Sequence, residues 1–378
     1  MRIAFILAAL DAGGAERIID LLSRAALARG WEVTIVTFDR STDPVFHQYD
    51  ERVRLRRLAL PIAAKGPSRL FLMMRRIWAL RKILREERFD VAVSFLTKIN
   101  VLALLARIGT GTPMIVSERN NPLRQRSHAV WKLLLDRLYP SAAAIVMLTE
   151  RSKICLPHGQ RARALVIPNP MLAPPVAPRI ASSPTLVAVG RLTEQKGFDL
   201  LLNAFAEIAD EAPDWRLVIF GEGRERAALE HRIDRLGLGG RAFLPGASAT
   251  PGDWVAAADA FVLSSRYEGF ANVLAEAMGS GLPVAAFDCD FGPADMVTDD
   301  VDGLLVPPED TAALAAALRR LMSDAALRRR LGAAAAVGAA RFDARQVNKS
   351  WIDLMAKCAA AGHDGAPLVS KLGRVGQG

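Results

Sequence analysis

Short apolar runs recur along the chain, each followed by a stretch with helical spacing, and this alternation restricts the fold more than any other feature. Arg2 to Leu10 reads as a strand, Gly13-Gly14 as a glycine turn, Ala15 to Arg29 as a helix ending at Gly30, and Glu32 to Phe38 as a second strand. Strand, crossover helix and strand make a βαβ unit with parallel strands. Similar strands are expected at Val91 to Phe95, Met114 to Ser117 and Ala144 to Leu148. Prolines at 168, 170, 174, 175, 178 and 184 then interrupt all periodicity, as a linker would. The pattern restarts with strands at Thr185 to Val189, Arg216 to Phe220, Ala260 to Leu263 and Pro283 to Phe287. Helices are expected over about 199–209 and 225–236, around Glu276, and from about Thr311. A chain of 378 residues is long for one core. The expected fold is α/β, two doubly wound Rossmann-like domains facing a cleft. Their expected bounds are 1–172, a linker over 173–184, 185–340, a last helix within 341–360, and a glycine-rich disordered tail over 361–378.

Charge separates the two halves. Residues 1–170 hold 28 Lys and Arg against 14 Asp and Glu, a net +14, and the remainder carries −5 of the overall +9. The densest part, Arg52 to Arg88, has twelve basic residues and two acids, interleaved with Leu70, Phe71, Met73, Met74, Ile77, Trp78, Leu80 and Leu84. It reads as a basic amphipathic helix, lying on an anionic bilayer with its apolar face down or packing that face on the first domain. A basic nucleic-acid binder would also explain the charge, but no binding motif accompanies it, and no nucleic-acid partner is expected. Cys155, Cys289 and Cys358 are too few and too scattered for a disulfide framework, which fits a reducing compartment. The apolar start stops at Asp11 and is taken as a buried strand rather than a signal peptide. No uninterrupted apolar run is long enough to span a membrane.

Candidate chemistry gathers after the expected strands. Gly13-Gly14 joins a strand to a helix, where backbone N–H groups face an anion. Its spacing is not that of a dinucleotide fingerprint. Gly190-Arg191 and Lys196-Gly197 follow a strand of the second half, and an Arg fork beside a Lys point charge suits a diphosphate. Glu268 and Glu276, eight positions apart, are expected at the start of one helix and two turns into it, on nearly the same face, and so to address one ligand. Asp288-Cys289-Asp290 imitates an acid-x-acid metal motif, but its place after a buried strand favours chance. His47, His158 and His231 lack metal-ligand spacing, and His128 is expected to be structural or an interface residue rather than catalytic. No metal is expected.

Taken in order, Gly13-Gly14, Gly190 to Gly197, Gly221-Glu222-Gly223, Glu268 to Glu276 and Asp302-Gly303-Leu304-Leu305-Val306 resemble the retaining GT-B glycosyltransferases of family 4, glycosyl transferases group 1, and in particular bacterial polysaccharide-assembly members. The resemblance implies a GT-B fold whose last helix crosses back to an acceptor-side first domain. It implies a donor site of Gly13, Gly14, Arg191, Lys196, Glu268, Gly269, Phe270, Ala271, Asn272, Val273 and Glu276. Arg191 and Lys196 would hold the donor phosphates, Glu268 the donor sugar and Glu276 the ribose hydroxyls. Glu118 stands where many members carry a His, and joins Glu268, Arg191 and Lys196 as a catalytic candidate. The implied activity is metal-independent transfer, without a cofactor, from a UDP- or GDP-sugar to a glycan or lipid-linked acceptor. The expected place is the cytoplasmic side of the cell membrane, peripherally bound. A sugar-nucleotide epimerase shares the two-lobed architecture but lacks this glutamate spacing.

Overall fold

A computed structural model describes residues 1–11, 14–62, 69–119, 121, 129–172, 183–248 and 250–364. Gly13, His128, most of the linker and 365–378 lie outside these residues. The chain forms two compact units, residues 1–170 with the segment from Ala344 onward, and Met171–Asp343.

In the first unit seven parallel strands, β1 (Arg2–Leu7), β2 (Glu32–Thr37), β3 (Arg54–Arg57), β4 (Val91–Phe95), β5 (Met114–Ser117), β6 (Ala144–Met147) and β7 (Ala164–Val166), lie in the order β3-β2-β1-β4-β5-β6-β7. The inner strands β1, β4, β5 and β6 are almost wholly apolar and buried because helices cover both faces of the sheet. Phe5 and Leu7 pack with Trp351 and Met355 of the C-terminal helix, while Ala4 and Ile6 pack toward Leu80 and Leu84 on the other side. That helix, Ala344–Asp364, therefore belongs to the first unit and runs past the expected limit of 360, its alanine-rich end sustaining the turn.

The segment from Arg52 to Arg88 is not one helix. Arg54–Arg57 is instead β3, an exposed edge strand, and only Arg69–Glu87 is helical, here α2. Cations on an edge discourage further strand pairing. Those of β3 also meet acids of neighbouring elements: Arg57 pairs with buried Asp39 at 2.6 Å and Arg56 with Glu87 at 2.7 Å.

The second unit holds six parallel strands, β8 (Thr185–Val189), β9 (Arg216–Phe220), β10 (Ala242–Gly246), β11 (Ala260–Leu263), β12 (Val284–Phe287) and β13 (Leu304–Val306), ordered β10-β9-β8-β11-β12-β13. One core joins Leu186, Leu217 and Val262 to Leu201, Phe205, Leu314 and Leu318 of the helices 198–208 and 311–323. Strand order reverses at β1/β4 in the first sheet and at β8/β11 in the second. Doubly wound sheets bind ligands at such switch points, outside the carboxyl ends of the strands. No helix among the described residues is long and apolar enough to cross a membrane.

Candidate active site

Because β8 and β11 are neighbours, the loops that leave their carboxyl ends meet. The first, Gly190 to Gly197, brings Lys196; the second, Ser264 to Glu268, brings Glu268. Lys196 Nζ lies 2.6 Å from Glu268 Oε1, and the two side chains are only 15% and 7% exposed. The Ser265 hydroxyl donates to the same oxygen at 2.7 Å. Among the described residues Glu268 Oε2 accepts no hydrogen bond, which leaves one carboxylate oxygen for a ligand hydroxyl. The Lys196 stem lies across Gly190, where a Cβ would crowd its methylenes at 3.1–3.2 Å. Arg191, on the same loop, is exposed and makes no ion pair among the described residues.

Two glycines permit these backbones to approach. Gly197 has φ +61°, and a Cβ there would overlap the Ser264 carbonyl; Gly221 has φ +152°, and its Cβ would overlap the Gly190 carbonyl. The Gly221-Glu222-Gly223 motif is thus explained by packing of the β9 loop against the β8 loop. Asp302, in the turn before β13, accepts from Thr298 N at 2.7 Å and shapes the approach to that strand.

Residues absent from the sequence reading hold the two loops together. Arg266 donates to both oxygens of Asp199 at 2.8 Å, to the Glu194 carbonyl at 2.7 Å and to Glu309 at 3.0 Å. Its own amide donates to the Gln195 carbonyl at 2.8 Å, and Ser264 Oγ donates to the Lys196 carbonyl at 2.9 Å. Hydrogen bonding to Asp199 raises the Arg266 pKa. Burial pushes Asp199 up, but Arg266 outweighs it and leaves the carboxyl below its usual range.

Glu268 does not begin a helix. The helix carrying Glu276 spans Asn272–Gly279, and Glu268 sits in the preceding loop, its amide donating to the Asp290 carbonyl at 3.1 Å. The helical-face argument for the two glutamates therefore fails, although both are buried. Between them Gly269 and Val273 are half-buried, Phe270 and Ala271 are buried, and Asn272 is exposed. Phe270 packs edge-on against Phe342 at 5.6 Å. Cys289 is buried beside this site; burial, then the Glu268 charge, raises its thiol pKa well above the ordinary value. No cluster of three metal-ligating side chains occurs among the described residues.

In the first unit, Gly14 opens the helix Gly14–Ala28 (α1) after β1. Glu118, just past β5, is 6% exposed and lies in a polar network. Thr97 donates to its Oε2 at 2.7 Å, while Asn100, at 3.3 Å, and Tyr139 donate to Oε1. Leu96, which leads into Thr97, has φ +74°, a strained value for a residue with a side chain. Next to Glu118, the Arg119 guanidinium is stacked 5.2 Å from Phe95 and 5.3 Å from Trp351 and donates to Asn169. Burial lowers its pKa to about 9.

Comparison with known proteins places these loops in context. Residues 13–170 match the glycosyl transferase 4-like domain and residues 176–337 match glycosyl transferases group 1. The chain is 33% identical over 303 residues to an exopolysaccharide phosphotransferase of Streptomyces coelicolor, covering 78% of this chain but only 31% of that protein's length. It is 27% identical over 360 residues to an alpha-1,4-N-acetyl-D-galactosaminyltransferase of Campylobacter jejuni, named for a PP-undecaprenol-linked substrate, covering 94% and 99% of the two chains. It is also 27% identical to the amylovoran biosynthesis glycosyltransferase AmsD of Erwinia amylovora, over 91% and 96%. Among solved structures, sucrose-phosphate synthase from Thermosynechococcus elongatus superposes with a TM-score of 0.82 at 23% identity, over 95% and 99% of the chains. Anabaena HepE in complex with UDP gives 0.74 at 19%, over 94% and 100%. At these identities the likeness to solved structures speaks for the fold alone.

Proposed function

The chain is a member of the glycosyl transferases group 1 family, a glycosyltransferase of GT-B fold, and from that membership we propose that it moves a sugar from a UDP- or GDP-sugar to a glycan acceptor with retention at the anomeric carbon. The acceptor is an oligosaccharide on a polyprenyl-diphosphate carrier or a glycolipid, in exopolysaccharide or O-antigen assembly, and the enzyme works peripherally at the inner face of the cell membrane. The observation that carries the reading is the buried Lys196–Glu268 pair at the switch point of the second sheet, with exposed Arg191 on the same loop making no ion pair among the described residues.

Arg191 and Lys196 bind the donor diphosphate. As the bond from the anomeric carbon to the β-phosphate oxygen breaks, charge grows on the leaving nucleoside diphosphate, and preorganised cations stabilise it by a few kcal/mol each. Glu268 Oε2 accepts a donor-sugar hydroxyl and Glu276 the ribose hydroxyls. The acceptor oxygen bonds to the anomeric carbon on the face the phosphate leaves, and its proton passes to the departing phosphate oxygen. That route requires neither a protein base nor a metal, so Glu118, enclosed by Thr97, Asn100 and Tyr139, orders the carboxyl edge of the first sheet and does not touch the reacting atoms.

The test is thermal stabilisation by UDP, GDP, ADP and NAD, with Arg191→Ala as control. Ligand at a hundred times its dissociation constant adds about 2.7 kcal/mol. A shift with UDP or GDP that disappears in Arg191→Ala is expected; no shift with either defeats the donor assignment. The anomeric configuration of the product, read by NMR, decides retention.

A further inference from the structure

Of the fourteen large apolar side chains exposed among the described residues, four lie in the first ten positions of α2: Leu70, Phe71, Met74 and Trp78, each 56–68% exposed. The helix has a second apolar face that is fully used, with Ile77, Leu80 and Leu84 in the core of the first unit. Its cations divide in the same way. Arg76 donates to the carbonyls of Leu60 and Pro61, and Arg81 to those of Leu105 and Ala106, so both serve the interior. Arg75, Lys82 and Arg85 point outward. Arg75 stacks 5.8 Å from the Phe71 ring and Lys82 lies 6.0 Å from the Trp78 ring. At 100° per residue, Phe71, Met74, Trp78, Lys82 and Arg85 fall on one strip along the helix.

We propose that this outer strip of α2 is a bilayer-docking face, with Phe71, Met74 and Trp78 entering the interface and Arg75, Lys82 and Arg85 meeting anionic headgroups. The inference rests on the reading of a lipid-linked acceptor and specifies how the enzyme is held beside it. Two physical points select the occupant. Large apolar rings next to cations are the composition of an interfacial helix, whose binding combines buried apolar area with attraction to anionic lipid. A second copy of the same strip would bring its own three cations against these, and like charges across an interface are repulsive. Glu86, at the strip's margin and 3.8 Å from Lys82, is the only acid among the outward residues of α2.

The experiment is co-sedimentation of the full chain with phosphatidylcholine vesicles, with and without phosphatidylglycerol, at low and high salt. Binding to the anionic vesicles that weakens with salt is expected. Replacing Arg75, Lys82 and Arg85 together by Ala should lower the partition constant about a hundredfold, at roughly fivefold per cation. Phe71→Ser with Trp78→Ser should lower it at least about tenfold, whereas Trp78→Phe retains it and Val337→Ser, at an exposed apolar site in the second unit, leaves it unchanged. All variants leave the packed face intact, and their thermal unfolding is measured alongside. Absence of vesicle binding, or equal binding by wild type and both strip variants, overturns the proposal. So does a Phe71→Ser/Trp78→Ser protein that changes from dimer to monomer in light scattering while still binding vesicles. A wild-type protein that shows the nucleoside-diphosphate shift but does not bind vesicles defeats this proposal alone; one that binds vesicles but shows no such shift defeats the transferase reading instead.

Discussion

Replacing Lys196 by Met tests whether the Lys196–Glu268 contact is a buried ion pair on which the second unit depends. At 2.6 Å the pair's attraction is about 6 kcal/mol for an effective dielectric constant near 20. Desolvation of two ions offsets most of that gain, so the intact pair adds little over an apolar pair of the same shape. Removing one partner is different. The Glu268 carboxylate, 7% exposed, would keep only the Ser265 hydroxyl, and such an uncompensated charge costs about 3–5 kcal/mol. The second unit spans Met171–Asp343, that is 343 − 171 + 1 = 173 residues. For a domain of that size each kcal/mol moves the melting temperature by about 2–4 °C, so a fall of about 6–20 °C in its transition is expected. Adding Glu268→Gln removes the stranded charge and should restore most of the loss. Differential scanning calorimetry of wild type, both single variants and the double variant completes the cycle. A Lys196→Met protein within about 0.5 kcal/mol of wild type, or single-variant effects that simply add, would refute the reasoning. Catalysis is no substitute for this measurement, because every variant in the cycle is expected to lose transfer.

Arg266→Lys keeps the charge but loses the two-oxygen grip on Asp199, so nucleoside-diphosphate affinity should weaken about tenfold through the loosened Lys196 loop. A melting temperature that falls while affinity is retained would make Arg266 a stability residue only. Glu118→Gln places an amide N–H₂ among three donors, and a loss of about 1–3 kcal/mol in urea unfolding is expected; an unchanged midpoint would show that the network with Thr97, Asn100 and Tyr139 is not formed. Burial raises the pKa of Glu16 above the ordinary 4.5 of a glutamate carboxyl, so the folded state holds this proton more tightly than the unfolded state. The stability it contributes is present below about pH 4.5 and is lost as pH rises through the raised folded value. Glu16→Gln should therefore gain on wild type between pH 4 and pH 7, and melting temperatures whose difference is the same at both ends of that range would contradict this.

Much of the fold was legible because its signals are local. Val91–Phe95, Met114–Ser117, Thr185–Val189, Arg216–Phe220 and Ala260–Leu263 are strands at the bounds their apolar runs suggest, since a strand covered on both faces leaves no polar alternation to confuse it. Three-residue strands such as Ala164–Val166 and Leu304–Val306 are too short for a periodic signal, and Ala242–Gly246 contains Pro and Gly that read as a turn. The stretch Arg52 to Arg88 misled because twelve cations look alike in sequence. Pairing with β2 made Arg54–Arg57 a strand, and packing on the core turned Arg76 and Arg81 toward carbonyl groups.

The residue types and their order along the chain determined by themselves that the strands run parallel and that Gly, Arg, Lys and Glu stand in the loops after β1, β8 and β11. Tertiary structure alone decided which of these meet. Lys196 and Glu268 are 72 residues apart, and the Arg266 grip on Asp199 spans 67. No periodicity reaches that far. In a doubly wound sheet the neighbour of each loop is set by strand order, and that order is fixed only when distant strands compete to cover one another's apolar faces.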